Sequence, residues 1–252
     1  MDGSNAAPGH RPGGCPLEAG GPPAAHDGGA RADPRRDFME FVGSDRFPCV
    51  GSRLALVQDT IRMLELESLG SPRNDAPLLG RLERFAAMVD ASDADDPAVH
   101  SLAALFRGPA GIDEARFESL LWAQLQRLHD LDARRGRRWA SDVDSDPDSP
   151  DFSMSLAGHP FFVIGLHPGA SRIARRFAWP TLVFNSHRQF ERLRADGRFA
   201  KMQAATRARD RELQGSINPN LSDYGEASEA RQYGGRAVEA DWCCPLQVRK
   251  AA

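Results

Sequence analysis

Long apolar runs are missing from this sequence of 252 residues. No stretch approaches the roughly 18 residues that a membrane-spanning helix needs, so no membrane partner is expected. Cysteine is scarce, and Cys15, Cys49, Cys243 and Cys244 form neither a disulfide framework nor a CxxC zinc pattern. Charge of one sign is also lacking: a net charge of −3 gives no global case for nucleic acid or a membrane surface. The sequence has no phosphate-cradling GxxxxGK, no GxGxxG after a strand, no HExxH and no GxSxG, which removes most nucleotide, zinc-protease and hydrolase readings. The first 35 residues are rich in Gly, Pro and Ala, with almost no large apolar side chains and no apolar signal core. They are expected to be a disordered tail (1–35) on a single domain (36–252) of a cytoplasmic protein.

With 41% hydrophobic and 27% charged residues, the rest is enough for one sizeable core. Leu54, Val57, Ile61 and Leu64 recur at the helical period, predicting a helix from Cys49 until Gly70-Ser71-Pro72 stops it. Further helices are predicted over Leu78 to Val89, Val99 to Phe106, and Asp113 to about Arg134. The acidic "SDVDSDPDSPD" has calcium-loop spacing at Asp142, Asp144 and Asp146. Pro147 then stands where such a loop needs Gly and Ser153 where it needs Glu, so it reads as a solvated linker. "PFFVIGL" and "TLVF" read as two short buried strands, followed by helices from His187 to Ala195 and from Phe199 to Leu213. The fold class is therefore α+β: a mostly helical N-terminal half, then a small buried sheet with flanking helices. The long polar end carries Tyr224, Tyr233 and Trp242, which argue for order and function.

Two His-Pro pairs bracket the first strand. His159 and His167 are eight residues apart, about 26 Å along a regular strand, so both serve one metal only if the chain bends at Gly165. Each is equally a hydrogen-bonded strand-end histidine. From Arg172 to Leu213, eleven Lys/Arg stand against four Asp/Glu. Arg172, Arg175 and Arg176 follow the strand directly, where forked guanidinium donors suit carboxylates or phosphates, haem propionates among them. Nucleic acid ranks lower, since few aromatics interleave. "RFPCVGSRLAL" puts Cys49 at the start of a helix, where the N–H groups of Val50 and Gly51 favour a thiolate suited to ligating haem iron. A lone cysteine is otherwise a small buried hydrophobe, and Cys244-Pro245 is a rival ligand.

Through "FPCVGS", "GHPFFVIGLHPGASR", "PTLVFNSHRQFERLR", "RDRELQGSINPNLSDYGEASEARQYGGR" and "DWCCPL", the sequence resembles the YqcI/YcgG family from about Phe47 to Leu246. It is most similar there to the haem-dependent guanidine N-hydroxylases. The resemblance implies haem b, dioxygen, an external electron donor or reductase, and a guanidino substrate such as arginine or the cyclic pre-guanitoxin. Joined to the residue reading, it makes Cys49 the expected iron ligand, His167 its alternative and His159 the third choice. Arg172, Arg175 and Arg176 are then expected at the propionates. A planar cationic substrate wants a carboxylate and an aromatic wall; Asp210, Glu226 and Glu229, with Asn218 and Tyr224, are the candidates. Each acid also has the plain alternative of a salt bridge to a neighbouring arginine. The competing functional readings are a non-catalytic haem-binding or haem-sensing protein and a basic-patch module without cofactor.

Overall fold

The computed structural model describes Met1 and residues 32–92 and 98–249. Most of the expected tail, Cys15 included, lies outside the described residues. The compact unit begins at Asp33 and so takes in the last three residues of that tail. Asp33 accepts from the amides of Arg35 and Arg36, Pro34 fills the first helical position, and α1 (Pro34–Gly43) buries Phe38 and Val42 one turn apart.

The helix expected from Cys49 to Gly70 is two elements. α2 (Val50–Val57) ends at Gln58, Asp59 turns left-handed at φ 54, and β1 (Ile61–Leu66) follows. Thr60 fixes the break: its amide donates to Ala55 O at 2.9 Å and its hydroxyl to Val99 O at 2.6 Å. The spacing of Ile61 and Leu64 fitted a helix over too short a span to exclude a strand. The helix expected over Val99 to Phe106 is likewise β2 (Ser101–Phe106), buried at all six positions. A short apolar run without polar positions carries no period by which strand and helix differ.

α3 (Asp75–Asp90) joins β1 to β2, which run parallel, as a crossover of that length allows. α4 (Glu114–Arg134) starts at Asp113, whose carboxylate accepts from Arg116 N. β3 (Met154–Leu156) and β4 (His159–Leu166) form a hairpin whose two linking residues, Ala157 and Gly158, both have positive φ. β5 (Thr181–Ser186) completes a sheet of order β1-β2-β5-β4-β3, antiparallel except between β1 and β2. The fold is α+β, and the sheet draws two of its five strands from the half expected to be helical. Gly165 does not bend β4; it lets Phe117 of α4 lie close, since a Cβ there would meet Phe117 Cε1 at 2.5 Å.

One core joins α3 and α4 to Leu102, Phe161, Val163 and Phe184, with Tyr233 of α7 (Ala230–Tyr233) packed into it. The other joins α1 and α2 to Ala103, Leu105, Leu166 and Val183. Alternation along the strands sends these sets to opposite faces. α5 (His187–Ala195) starts directly at the end of β5, and α6 (Arg198–Gln214) follows it. α6 buries none of its side chains, and the glycines at its two ends, Gly197 (φ 74) and Gly215 (φ 76), are left-handed. Among the described residues no helix is long and apolar enough to cross a membrane.

Candidate functional site

Ser101, Asn185 and Phe162 form one cross-strand row over β2, β5 and β4. Above that row lies a cavity of about 240 Å³, walled by α2, α5, α6 and the segment from Leu221 to Glu229. Its apolar surface comes from Phe162, Ile164, Phe190, Phe199 and Met202. Ser101 Oγ donates to Asn185 Oδ1 at 2.7 Å on its floor.

Cys49 lines this cavity as the N-cap of α2. Its sulfur accepts from Ser52 N at 3.4 Å and from Ser52 Oγ at 3.2 Å. The donors are therefore not the expected amides of Val50 and Gly51. Val50 N instead donates to Thr206 Oγ1 of α6 at 3.2 Å, pinning α6 over the sulfur's helix. The backbone end and a hydroxyl both point at the sulfur.

Tyr224 and Glu229 also line the cavity. The Tyr224 hydroxyl donates to Asp151 O at 2.8 Å, and burial pushes its pKa up to about 12. Glu229 is buried; Ser153 Oγ donates to its Oε1 at 2.9 Å and Tyr233 Oη lies 2.5 Å from the same atom. Burial drives this carboxyl up to about 8, against the pull of those two hydroxyls.

The other sequence candidates lie outside the cavity's lining. His159 Nε2 sits 2.8 Å from Ser186 Oγ, with Nδ1 3.2 Å from Asp90. This has the order of a hydrolase triad, but Ser186 is fully buried and its Oγ accepts from Gln189 N as the cap of α5. His167 stacks on Phe117 with centroids 4.2 Å apart, neither ring nitrogen has a partner among the described residues, and burial lowers its pKa to about 4.

Arg172 pairs with Asp210 and donates to Ser216 O at 2.9 Å, so the expected propionate arginine and substrate acid satisfy each other. Arg175 donates to the carbonyls of Gly165 and Tyr233, both at 3.2 Å, and burial lowers its pKa to about 10. Arg176 donates to Ala170 O at 2.9 Å. Glu226 accepts from Asp223 N at 3.1 Å and Asn218 from Asn220 N at 3.1 Å, both as turn contacts. These six residues serve the backbone or each other, and the cavity's own arginines are Arg194 and Arg207.

Arg194 pairs with Glu191 and lies over the rings of Phe199 (4.4 Å) and Tyr224 (5.6 Å). Arg207 holds Asp223 at 2.6 Å and keeps a buried Nε without a partner. His187, the first residue of α5, packs on Tyr224 at 4.3 Å and reaches Glu191 at 3.3 Å; burial lowers its pKa. Sequence reasoning passed over His187, although "FNSHRQF" marks a strand end, a serine cap and a helix start together.

The sequence pattern of the YqcI/YcgG family matches residues 38–247. The chain belongs to that family. Among curated relatives, the uncharacterized protein YcgG of Bacillus subtilis (strain 168) is 28% identical over 223 residues, spanning 82% of this chain and 83% of the relative. The uncharacterized protein YqcI of the same strain is 28% identical over 204 residues, 75% of each chain. No solved structure matches. The YqcI/YcgG match runs from α1 to the C-terminal segment and so covers every wall of the cavity.

Among the described residues no group of three or more His, Cys, Asp or Glu is arranged to hold a bare metal ion. A porphyrin needs only one protein donor, and Cys49 is a single soft donor opening on an apolar cavity with two arginines in its wall. The donor set and wall chemistry fit haem. A porphyrin is larger than 240 Å³, so loading requires a wall to yield. α6, without buried side chains and ended by Gly197 and Gly215, is the wall least tied to the core.

Proposed function

We propose that this chain is a haem-dependent monooxygenase that N-hydroxylates a guanidino group, using dioxygen and electrons from a separate donor. The observation that carries the reading is the position of Cys49: a helix-capping sulfur with two donors, at the wall of an apolar cavity that also holds a buried carboxyl, Glu229. Haem b, when bound, supplies oxygen activation, and a thiolate ligand pushes electron density in the direction that favours O–O cleavage. Cys49 is the residue that would hold the iron, with Arg194 and Arg207 for the propionates. Phe162, Ile164, Phe190 and Phe199 exclude water. Glu229 receives the planar cation, and Tyr224 offers it an aromatic face.

The test is an absorption spectrum of the full chain expressed with a haem precursor, ferric and then reduced under carbon monoxide. A strongly red-shifted carbon monoxide complex, lost in Cys49→Ala and kept in His187→Ala and His167→Ala, is the expected result. Absence of a Soret band in the parent overturns the reading. Turnover of arginine to its N-hydroxy product with oxygen and a chemical reductant, read by mass spectrometry, separates an enzyme from a haem-sensing protein.

A further inference from the structure

Both hydrogen-bond contacts of the Glu229 carboxyl fall on Oε1, and Oε2 has no hydrogen-bond partner among the described residues. The residue lines the cavity, so Oε2 is the atom left for a ligand. The Tyr233 hydroxyl beside it has one proton to give. Met154 N donates to that hydroxyl at 3.1 Å, while Phe161 O at 3.1 Å and Glu229 Oε1 at 2.5 Å are both placed to receive its proton.

Two arrangements therefore satisfy the same heavy atoms. In one, a protonated Glu229 donates from Oε1 to Tyr233, which donates to Phe161 O. In the other, Glu229 is ionised and Tyr233 turns its proton to Oε1. Neither requires a side chain to move.

The surrounding charges already have partners. Arg194 of α5 pairs with Glu191, and His187 reaches that same glutamate. Asp223 accepts from Arg207 at 2.6 Å and from Gln203 at 2.7 Å. Tyr224 is spent on Asp151 O. Glu229 is thus the acid in the cavity wall with no ion pair among the described residues; the charge of Arg194 reaches it, but that guanidinium is held by Glu191.

We infer that Glu229 is a proton-exchanging cation site: it keeps a proton while the cavity holds no cation, and releases it to solvent when a guanidinium or ammonium head enters and donates to Oε2. The inference rests on the guanidine reading above and adds that binding expels one proton. The exchange balances: a neutral acid and a cation become a carboxylate–cation pair and one proton taken up by buffer. Burial that raises the acid to about 8 puts the exchange at neutral pH. A permanently charged guanidinium then binds about tenfold more weakly for each pH unit below that value, and evenly above it.

Titration calorimetry of the full chain tests this, with L-arginine, agmatine and the neutral isostere citrulline, at one pH in two buffers of different ionisation enthalpy. Arginine and agmatine are expected to release one proton and to bind about tenfold more tightly at pH 7 than at pH 6; citrulline is expected to release none. Glu229→Gln removes both the release and the pH dependence. Tyr233→Phe keeps the release but moves the inflection to higher pH, which a mere packing role would not do. Glu226→Gln, a turn residue, changes neither. Arginine binding without proton release, or release that persists in Glu229→Gln, overturns the inference and leaves the guanidine reading standing. Absence of binding by both arginine and agmatine overturns the two together.

Discussion

Arg172, in the turn after β4, and Asp210, in the fourth turn of α6, form an ion pair with little solvent access on either side. It anchors the far half of α6, as Val50 N and Thr206 Oγ1 anchor the middle. Asp210→Asn leaves Arg172 charged and buried, which costs roughly 3 kcal/mol. A lower urea midpoint is expected.

Cys49→Ser separates the capping role of Cys49 from the ligand role proposed for it. Serine is itself a preferred N-cap, so α2 keeps an acceptor for Ser52 N. The unfolding free energy is expected to stay within about 0.5 kcal/mol of the parent. The red-shifted carbon monoxide spectrum is expected to disappear all the same.

Gly165→Ala places a methyl 2.5 Å from Phe117 Cε1 and 2.8 Å from Tyr233 O. One neighbour is a packed ring and the other is backbone, so neither swings aside. A loss of about 3 kcal/mol is expected from chemical denaturation, although the substitution lies outside the cavity lining.

Glu229 ties stability to pH. Its pKa rises from an ordinary 4.5 to about 8 in the folded chain, so between those values the folded state holds a proton that the unfolded state has lost. Stability therefore falls as pH rises through that window and levels off above it, with a limiting slope of about 1.4 kcal/mol per pH unit. Glu229→Gln is expected to flatten this decline in denaturation midpoints measured from pH 6 to 9.

His167 works in the opposite sense. Burial lowers its pKa from 6.5 to about 4, so over that interval the unfolded state takes up the proton first and stability is lost as pH falls. His129, His159 and His187 are shifted in the same direction. The share of His167 is read from the difference between parent and His167→Phe. This variant keeps an aromatic stack on Phe117 and removes two buried nitrogens without partners. It is expected to be more stable than the parent at pH 5 and to lose less on acidification.

Elements with a capping residue and a polar face were legible. Asp113 capping α4 and the span from His187 to Ala195 are where the pattern places them, because a cap followed by helical periodicity leaves little room for a competing reading. β1 and β2 were lost for the converse reason: six residues each, one buried throughout, paired to a neighbour some forty positions away. α1 was hidden by the Gly/Pro-rich sequence before it. Of the residues that line the cavity, Cys49, Tyr224 and Glu229 were named from residue type and motif. Arg194 and Arg207 were not, because Arg172, Arg175 and Arg176 are nearer β4 in sequence. Which of eleven cations faces a cavity depends on where α5 and α6 cross the sheet, and no local pattern records that.

α6 has a further consequence through its light burial, since it meets the second core only through partly buried Phe199 and Met202. Met202, Gln203, Thr206 and Arg207 shape the cavity from a helix that buries none of its side chains. Away from Phe199 and Met202, which pack on the second core, and from Thr206, Arg209 and Asp210, which tie α6 to other segments, exchanging exposed residues on it moves folding stability by only about 0.5 kcal/mol. Cargo selection and structural integrity are thereby held by different stretches of chain. Relatives can diverge in what they accept by rewriting α6 while the sheet beneath it stays as it is.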